Sequence, residues 1–108
     1  MGNSIVILGS TGSIGRQTLD VLAGMPGLRA CGLGAGGGNA ELLVEQAISA
    51  RPDFVAVANR NVAEKMAQSM PADTTLLSGD DALCEMIRLS KPDVIVSAVV
   101  GEIGRAHV

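Results

Sequence analysis

Aromatic side chains are nearly missing from this chain. Phe54 is the only one, beside fourteen glycines, so a core has to be built from Val, Ile, Leu, Ala and Met, as in helices laid on a parallel sheet. Cysteine is scarce too: Cys31 and Cys84 have neither metal-ligand spacing nor a histidine cluster to join, which argues against a metal site. Both are expected to be core thiols, Cys31 on a strand and Cys84 on a helix. Charge of one sign does not accumulate. Eight basic and eleven acidic residues are scattered along the chain, without the basic stripe that nucleic acid or an anionic membrane requires. No apolar run approaches membrane-spanning length, and no basic segment leads into an apolar stretch with a cleavage-like site. The expected setting is the cytoplasm, and the expected ligand is a small neutral or phosphorylated molecule. With 108 residues, 47% of them hydrophobic, the chain suffices for one modest domain with a core.

What is present is an alternation. Ser4 to Leu8 reads as a buried strand, after which Ile14, Thr18, Val21, Leu22 and Met25 recur at helical spacing until Pro26-Gly27. A second unit follows: strand Arg29 to Leu33, a glycine cluster at Gly34 to Gly38, Asn39 as N-cap, and a helix striped by Leu43, Val44, Ala47 and Ile48. Phe54 to Val57 is a third strand, followed by a helix near Val62 to Ser69. Leu76 and Leu77 form a short fourth strand, Ser78 is expected to cap a helix running to Leu89, and Val94 to Val96 is a fifth strand. Strands alternating with helices of this length predict right-handed crossovers and an α/β, doubly wound parallel sheet.

The segment that carries chemistry is GSTGSIG, Gly9 to Gly15, between the first strand and its helix. In the spacing G-x-x-G-x-x-G, the first glycine permits the tight turn, Gly12 lets backbone approach a phosphate, and Gly15 lets helix and strand pack closely. Amides at the helix start then face an anion. Such turns also arise for purely structural reasons, but order and context here favour a dinucleotide. Thr11 and Ser13 add hydroxyl donors, whereas Ile14 either presses on the cofactor or merely seals the helix onto the sheet.

An NAD-specific fold offers an acidic side chain about twenty residues after the loop for the ribose hydroxyls. This chain instead reads Gly34-Ala35-Gly36-Gly37-Gly38-Asn39, a run of amides leading into a helix start, which suits a 2′-phosphate and favours NADP. The alternative is a flexible loop in which Asn39 only caps its helix. Arg60 and Lys65 read as solvated surface cations, and Asp20, Glu41, Glu45 and Asp53, the conceivable acid-base groups, do not converge.

GSTGSIG followed by Gln17-Thr18-Leu19-Asp20-Val21, then the glycine cluster before Asn39, then Leu77-Ser78-Gly79, then Ser97-Ala98-Val99-Val100-Gly101, resembles the 1-deoxy-D-xylulose 5-phosphate reductoisomerase family. The resemblance runs in register from Ile5 to Gly101. It implies a Rossmann-like domain, incomplete at its C-terminal side, of a homodimeric NADPH-dependent enzyme of non-mevalonate isoprenoid biosynthesis. That enzyme isomerises and reduces 1-deoxy-D-xylulose 5-phosphate to 2-C-methyl-D-erythritol 4-phosphate with Mg2+ or Mn2+. Carried over residue by residue, it places cofactor contacts on Thr11, Gly12, Ser13 and Ile14 for the pyrophosphate, and on Gly37, Gly38 and Asn39 for the adenosine phosphate. Many members carry lysine or arginine where this chain has Gly38, so charge pairing with the 2′-phosphate must come from elsewhere. The family's metal ligands, substrate-phosphate residues and lid lie beyond the match to Gly101.

Residues 1–101 are therefore expected to be the NADPH-binding domain. The tail Glu102 to Val108 equals one translated frame of a common sequencing adapter and is expected to be non-native, which makes His107 no ligand; a genuine short terminus is the alternative. The nicotinamide is expected to project past Gly101, and the chain alone to bind without turnover. Two rival readings are a complete non-catalytic nucleotide-binding module and another NADP-dependent dehydrogenase, such as a semialdehyde dehydrogenase.

Overall fold

The computed structural model describes residues 3–97. Five parallel strands, β1 (Ser4–Leu8), β2 (Arg29–Ala35), β3 (Phe54–Val57), β4 (Thr75–Ser78) and β5 (Val94–Ser97), form one sheet in the order β4-β3-β2-β1-β5. Between them run α1 (Ser13–Ala23), α2 (Ala40–Ala50), α3 (Arg60–Met66), extended by a 3-10 turn over Ala67–Ser69, and α4 (Ala82–Ser90). The chain steps outward from β1 to β4 and then returns to lay β5 on the other side of β1. Crossovers of one hand must change faces when their direction reverses. Accordingly, Leu19 and Leu22 of α1, Leu43 and Ala47 of α2 and Ala63 and Met66 of α3 pack with Ile7, Leu33 and Val55 on one face. Ala82 and Met86 of α4 pack with Val6, Cys31 and Ala56 on the other. This is the doubly wound sheet expected.

Four local expectations change. β2 runs two residues further than predicted, because Gly34 and Ala35 pair with Ala56 and Val57 of β3. Glycine there serves packing: a Cβ on Gly34 would run into Leu83, and one on Gly32 would lie 2.9 Å from the Met86 sulfur, so α4 rests almost directly on the β2 backbone. The α1 stripe is rotated: Gly15 is the buried residue and Leu19 packs inward beside Leu22, the stripe residue that lies as expected, whereas Ile14, Val21 and Met25 stand exposed. Ile14 therefore does not seal the helix, and Ile48 of α2 is likewise exposed. Ser78 closes β4 rather than capping α4, whose N-cap is Asp81. Finally, Cys84 lies on the outer side of α4 and is exposed, while Cys31 is buried as expected.

One turn device occurs twice. Arg51 and Lys91, the C-caps of α2 and α4, both adopt left-handed backbone, with φ of 52° and 48°. Each is followed by Pro-Asp and a strand, and the proline forbids helix continuation. Asp53 then receives a bidentate contact from Arg29 at 2.8 and 2.9 Å, and Asp93 accepts from the Ser4 amide and hydroxyl at 3.1 and 2.8 Å. Both aspartates are held below the usual carboxylate range, Asp53 by the Arg29 guanidinium and Asp93 by the Ser4 donors. They pin the amino-terminal edge of the sheet, away from the loops at its carboxyl edge.

Candidate functional site

Three loops gather at the carboxyl edge. The first leaves β1, where β2 lies on one side and β5 on the other; such a reversal of strand order opens a crevice in open α/β sheets. The Gly9 and Ser10 amides both donate to the Gly34 carbonyl, at 2.7 and 3.2 Å, which stitches this loop to the end of β2. Gly9 has φ of +82°, a turn that an L side chain resists. Gly15 sits so close to the turn that a Cβ would lie 2.6 Å from Ser10 Cα and would overlap the Gly9 carbonyl. Gly12, by contrast, has φ of −77°, and a Cβ there meets only the Gly9 oxygen at 3.5 Å. Nothing in the fold demands glycine at that exposed position.

The N-terminus of α1 is open. No side chain caps it and its first turn carries no acidic residue. The Gly12 amide bonds back to Gly9 and the Arg16 amide to Gly12. The amides of Thr11, Ser13, Ile14 and Gly15 donate to no acceptor among the described residues. Unpaired amides at the positive end of a helix form an anion-receiving surface. The next two helices are closed: Asn39 and Asn59 accept through Oδ1 from Leu42 and Val62, each at 3.2 Å.

The second loop, residues 36–39, projects beyond β2. Gly37 has φ of +114°, and a Cβ on it would lie 3.1 Å from the Asn59 Cβ, so this loop leans on the third, which begins α3. Gly36 and Gly38 have nothing within 4 Å of a would-be Cβ, and their backbone is exposed. Asn39 caps α2 with its oxygen, as the sequence predicts, which leaves its Nδ2 hydrogens free to donate outward. Thus Thr11 to Ile14 and Gly37 to Asn39 both lie at the carboxyl edge of the sheet, in loops linked through the hydrogen bonds of Gly9 and Ser10 to Gly34. Gly101 and residues 102–108 lie outside the described residues.

Sequence reasoning missed two groups here. One is the Asn59 cap, which an asparagine just before an apolar periodicity signals. The other is Gln46, 8% exposed on α2, whose Nε2 donates to the Ser10 carbonyl at 2.8 Å beneath the glycine loop. A glutamine between Leu43 and Ala47 on a core stripe is the available signal. Asp53 is excluded as an acid-base group by its ion pair at the opposite edge. Among the described residues no three His, Cys, Asp or Glu side chains stand close enough to hold a metal, and no helix is long and apolar enough to cross a membrane.

Fold and site together define a Rossmann-like α/β domain with an open helix end at its strand-order reversal. The family model for 1-deoxy-D-xylulose 5-phosphate reductoisomerase matches residues 5–107. Proteins of that name from Rhodococcus jostii and Corynebacterium efficiens are 42% and 41% identical, each over 93% of this chain but only 24% and 27% of their own length. A solved reductoisomerase in complex with NADPH, fosmidomycin and magnesium superposes with a TM-score of 0.79 at 31% identity, covering 94% of this chain and 26% of that one. The Zymomonas mobilis enzyme in complex with NADPH shares the fold, with a TM-score of 0.83 at 24% identity over 92% of this chain and 26% of that one. The chain belongs to the 1-deoxy-D-xylulose 5-phosphate reductoisomerase family. It spans about a quarter of the length of the relatives it matches.

Proposed function

We propose that this chain is the NADPH-binding part of a 1-deoxy-D-xylulose 5-phosphate reductoisomerase. The observation that carries the reading is the open start of α1, with the amides of Thr11, Ser13 and Ile14 unpaired and no carboxylate in the first turn. These amides and the Thr11 and Ser13 hydroxyls hold the pyrophosphate, with Gly12 giving it room. The backbone of half-buried Gly37 and exposed Gly38 and the Nδ2 of Asn39 donate to the adenosine 2′-phosphate, beside Glu41, the one acidic side chain in the first turn of α2. When bound, NADPH supplies the hydride for reduction of the sugar phosphate. The described residues do not fit the Mg2+ or Mn2+ of the family, since no three His, Cys, Asp or Glu side chains among them converge.

Hydride transfer needs substrate and metal held at near-attack distance, so the 108-residue chain binds cofactor without turning over. The division into a binding domain at 1–101 and a non-native 102–108 belongs to this proposal, and native coding sequence across Glu102 in the source DNA would remove it. So do homodimerisation, which rests on the family resemblance, and a cytoplasmic setting, which rests on composition. The test is titration with NADPH and NADH, followed by melting temperature and nicotinamide fluorescence. A hundredfold excess over Kd stabilises by about 2.7 kcal/mol, and NADPH is expected to reach this at a lower concentration than NADH. NADH preference would overturn the assignment of Gly37, Gly38 and Asn39. Binding of neither nucleotide by a cooperatively folded chain would overturn the cofactor reading.

A further inference from the structure

We infer that Gln46 is a positioning residue for nucleotide binding, aiming the Thr11 N–H out of the glycine loop by holding the Ser10 carbonyl from beneath. The inference rests on the NADPH reading. The Ser10 carbonyl and the Thr11 amide belong to one peptide unit, which is trans and planar. Its oxygen and its N–H therefore point in opposite directions. Gln46 Nε2 takes the oxygen at 2.8 Å on the buried side, so the Thr11 N–H faces away from the core, and it is one of the amides with no acceptor among the described residues. The same hydrogen bond polarises the peptide and strengthens that donor. Without it, rotation of the unit would bring a carbonyl oxygen to the phosphate side, where it repels.

Core stability does not account for a glutamine at this place. Gln46 occupies a stripe position between Leu43 and Ala47, both fully buried. Its Oε1 is buried without a partner, and so is the hydroxyl of Ser10, the residue whose carbonyl Nε2 holds. Unmet polar atoms disfavour a core. The arrangement also ties the two halves of the site together. Asn39 and Gln46 lie seven residues apart on α2, about 10 Å along a rigid helix; the first stands at the loop assigned to the 2′-phosphate and the second under the loop assigned to the pyrophosphate.

The test uses Gln46→Met, similar in shape but without a donor, and Gln46→Glu, in the 108-residue chain. Gln46→Met is expected to melt cooperatively and to bind NADPH and NADH each about tenfold more weakly, with their ratio unchanged because both share the pyrophosphate. Gln46→Glu is expected to bind NADP+ poorly near pH 8, where a carboxylate only accepts. Binding should recover toward about pH 5, where the buried carboxyl is protonated and donates again. The unsubstituted chain should show no such recovery. NADPH affinity of Gln46→Met within about twofold of the unsubstituted chain, with only a lower melting temperature, would overturn the inference and leave the cofactor reading intact. A separate readout needs no ligand: in 15N-labelled protein Gln46→Met should move the Thr11 amide resonance while leaving the last turn of α1 in place. An unmoved Thr11 signal counts against the inference even if the unsubstituted chain binds neither nucleotide, the outcome that refutes the cofactor reading instead.

Discussion

Replacing Gly15 and Gly12 by alanine separates the two roles of the glycine loop. At Gly15 the added methyl would lie 2.6 Å from Ser10 Cα and 2.8 Å from the Ser10 carbonyl carbon, against an ordinary contact of 3.4 Å or more. α1 must therefore back away from the turn by at least about 0.8 Å to clear Ser10 Cα, and further to clear the Gly9 carbonyl, and the obstructing atoms are backbone, held by two hydrogen bonds to Gly34. Overpacking of this kind costs about 1–3 kcal/mol, and the absence of any flexible side chain to yield puts Gly15→Ala near the upper end. For a domain of this size that lowers the melting temperature by about 10–20 °C. At Gly12 the methyl meets only the Gly9 oxygen at 3.5 Å, with φ of −77°. A weaker N-cap and a less flexible unfolded chain roughly offset each other there, leaving a change of about 0.5 kcal/mol or less. Yet that methyl stands on the exposed turn between the free amides of Thr11 and Ser13. Circular-dichroism melts should therefore show a large loss for Gly15→Ala and almost none for Gly12→Ala, while NADPH titration shows weakened binding by Gly12→Ala. A Gly15→Ala protein melting with the unsubstituted chain would refute the close approach, and Gly12→Ala binding NADPH unchanged would refute contact between cofactor and loop backbone.

Two further outcomes test other parts of the structure. Cys84 is exposed, whereas Cys31 is buried and its thiol is pushed up in pKa by that burial; a thiol reagent at neutral pH should label one cysteine in the native protein and both in denaturant. Asp53 has a folded pKa depressed by Arg29 below its ordinary 3.8, so its contribution is present above that value and disappears as pH falls through the folded pKa. Because both partners are about half exposed, Asp53→Asn should cost only about 0.5–1 kcal/mol at pH 7 in denaturant melts. As pH falls through the depressed folded pKa that cost should vanish, and an unchanged penalty in acid would mean that the side chain acts by something other than charge.

Much of this protein is written locally. The alternation of apolar strands with helices, the G-x-x-G-x-x-G turn and the Asn39 cap each depend on residues within a few positions of one another, so the sequence alone determined a doubly wound sheet with a glycine-rich turn after its first strand. Tertiary structure decided which side of each element faces inward. Ile14, Thr18, Val21 and Met25 make as good a helical stripe as Gly15, Leu19 and Leu22, and the close approach of Gly15 to the Ser10 backbone, with Leu19 and Leu22 packed on the core, selects the second. The same holds for Gly34, which reads as loop until α4 is laid across it, and for Cys84, which reads as core until that helix is turned. Gln46 is the extreme case: a polar residue on a core stripe marks it, but its partner is thirty-six residues away, and no local pattern names that partner. Periodicity shows that an element has a face, but the choice among faces is made by the neighbours that the chain brings from elsewhere.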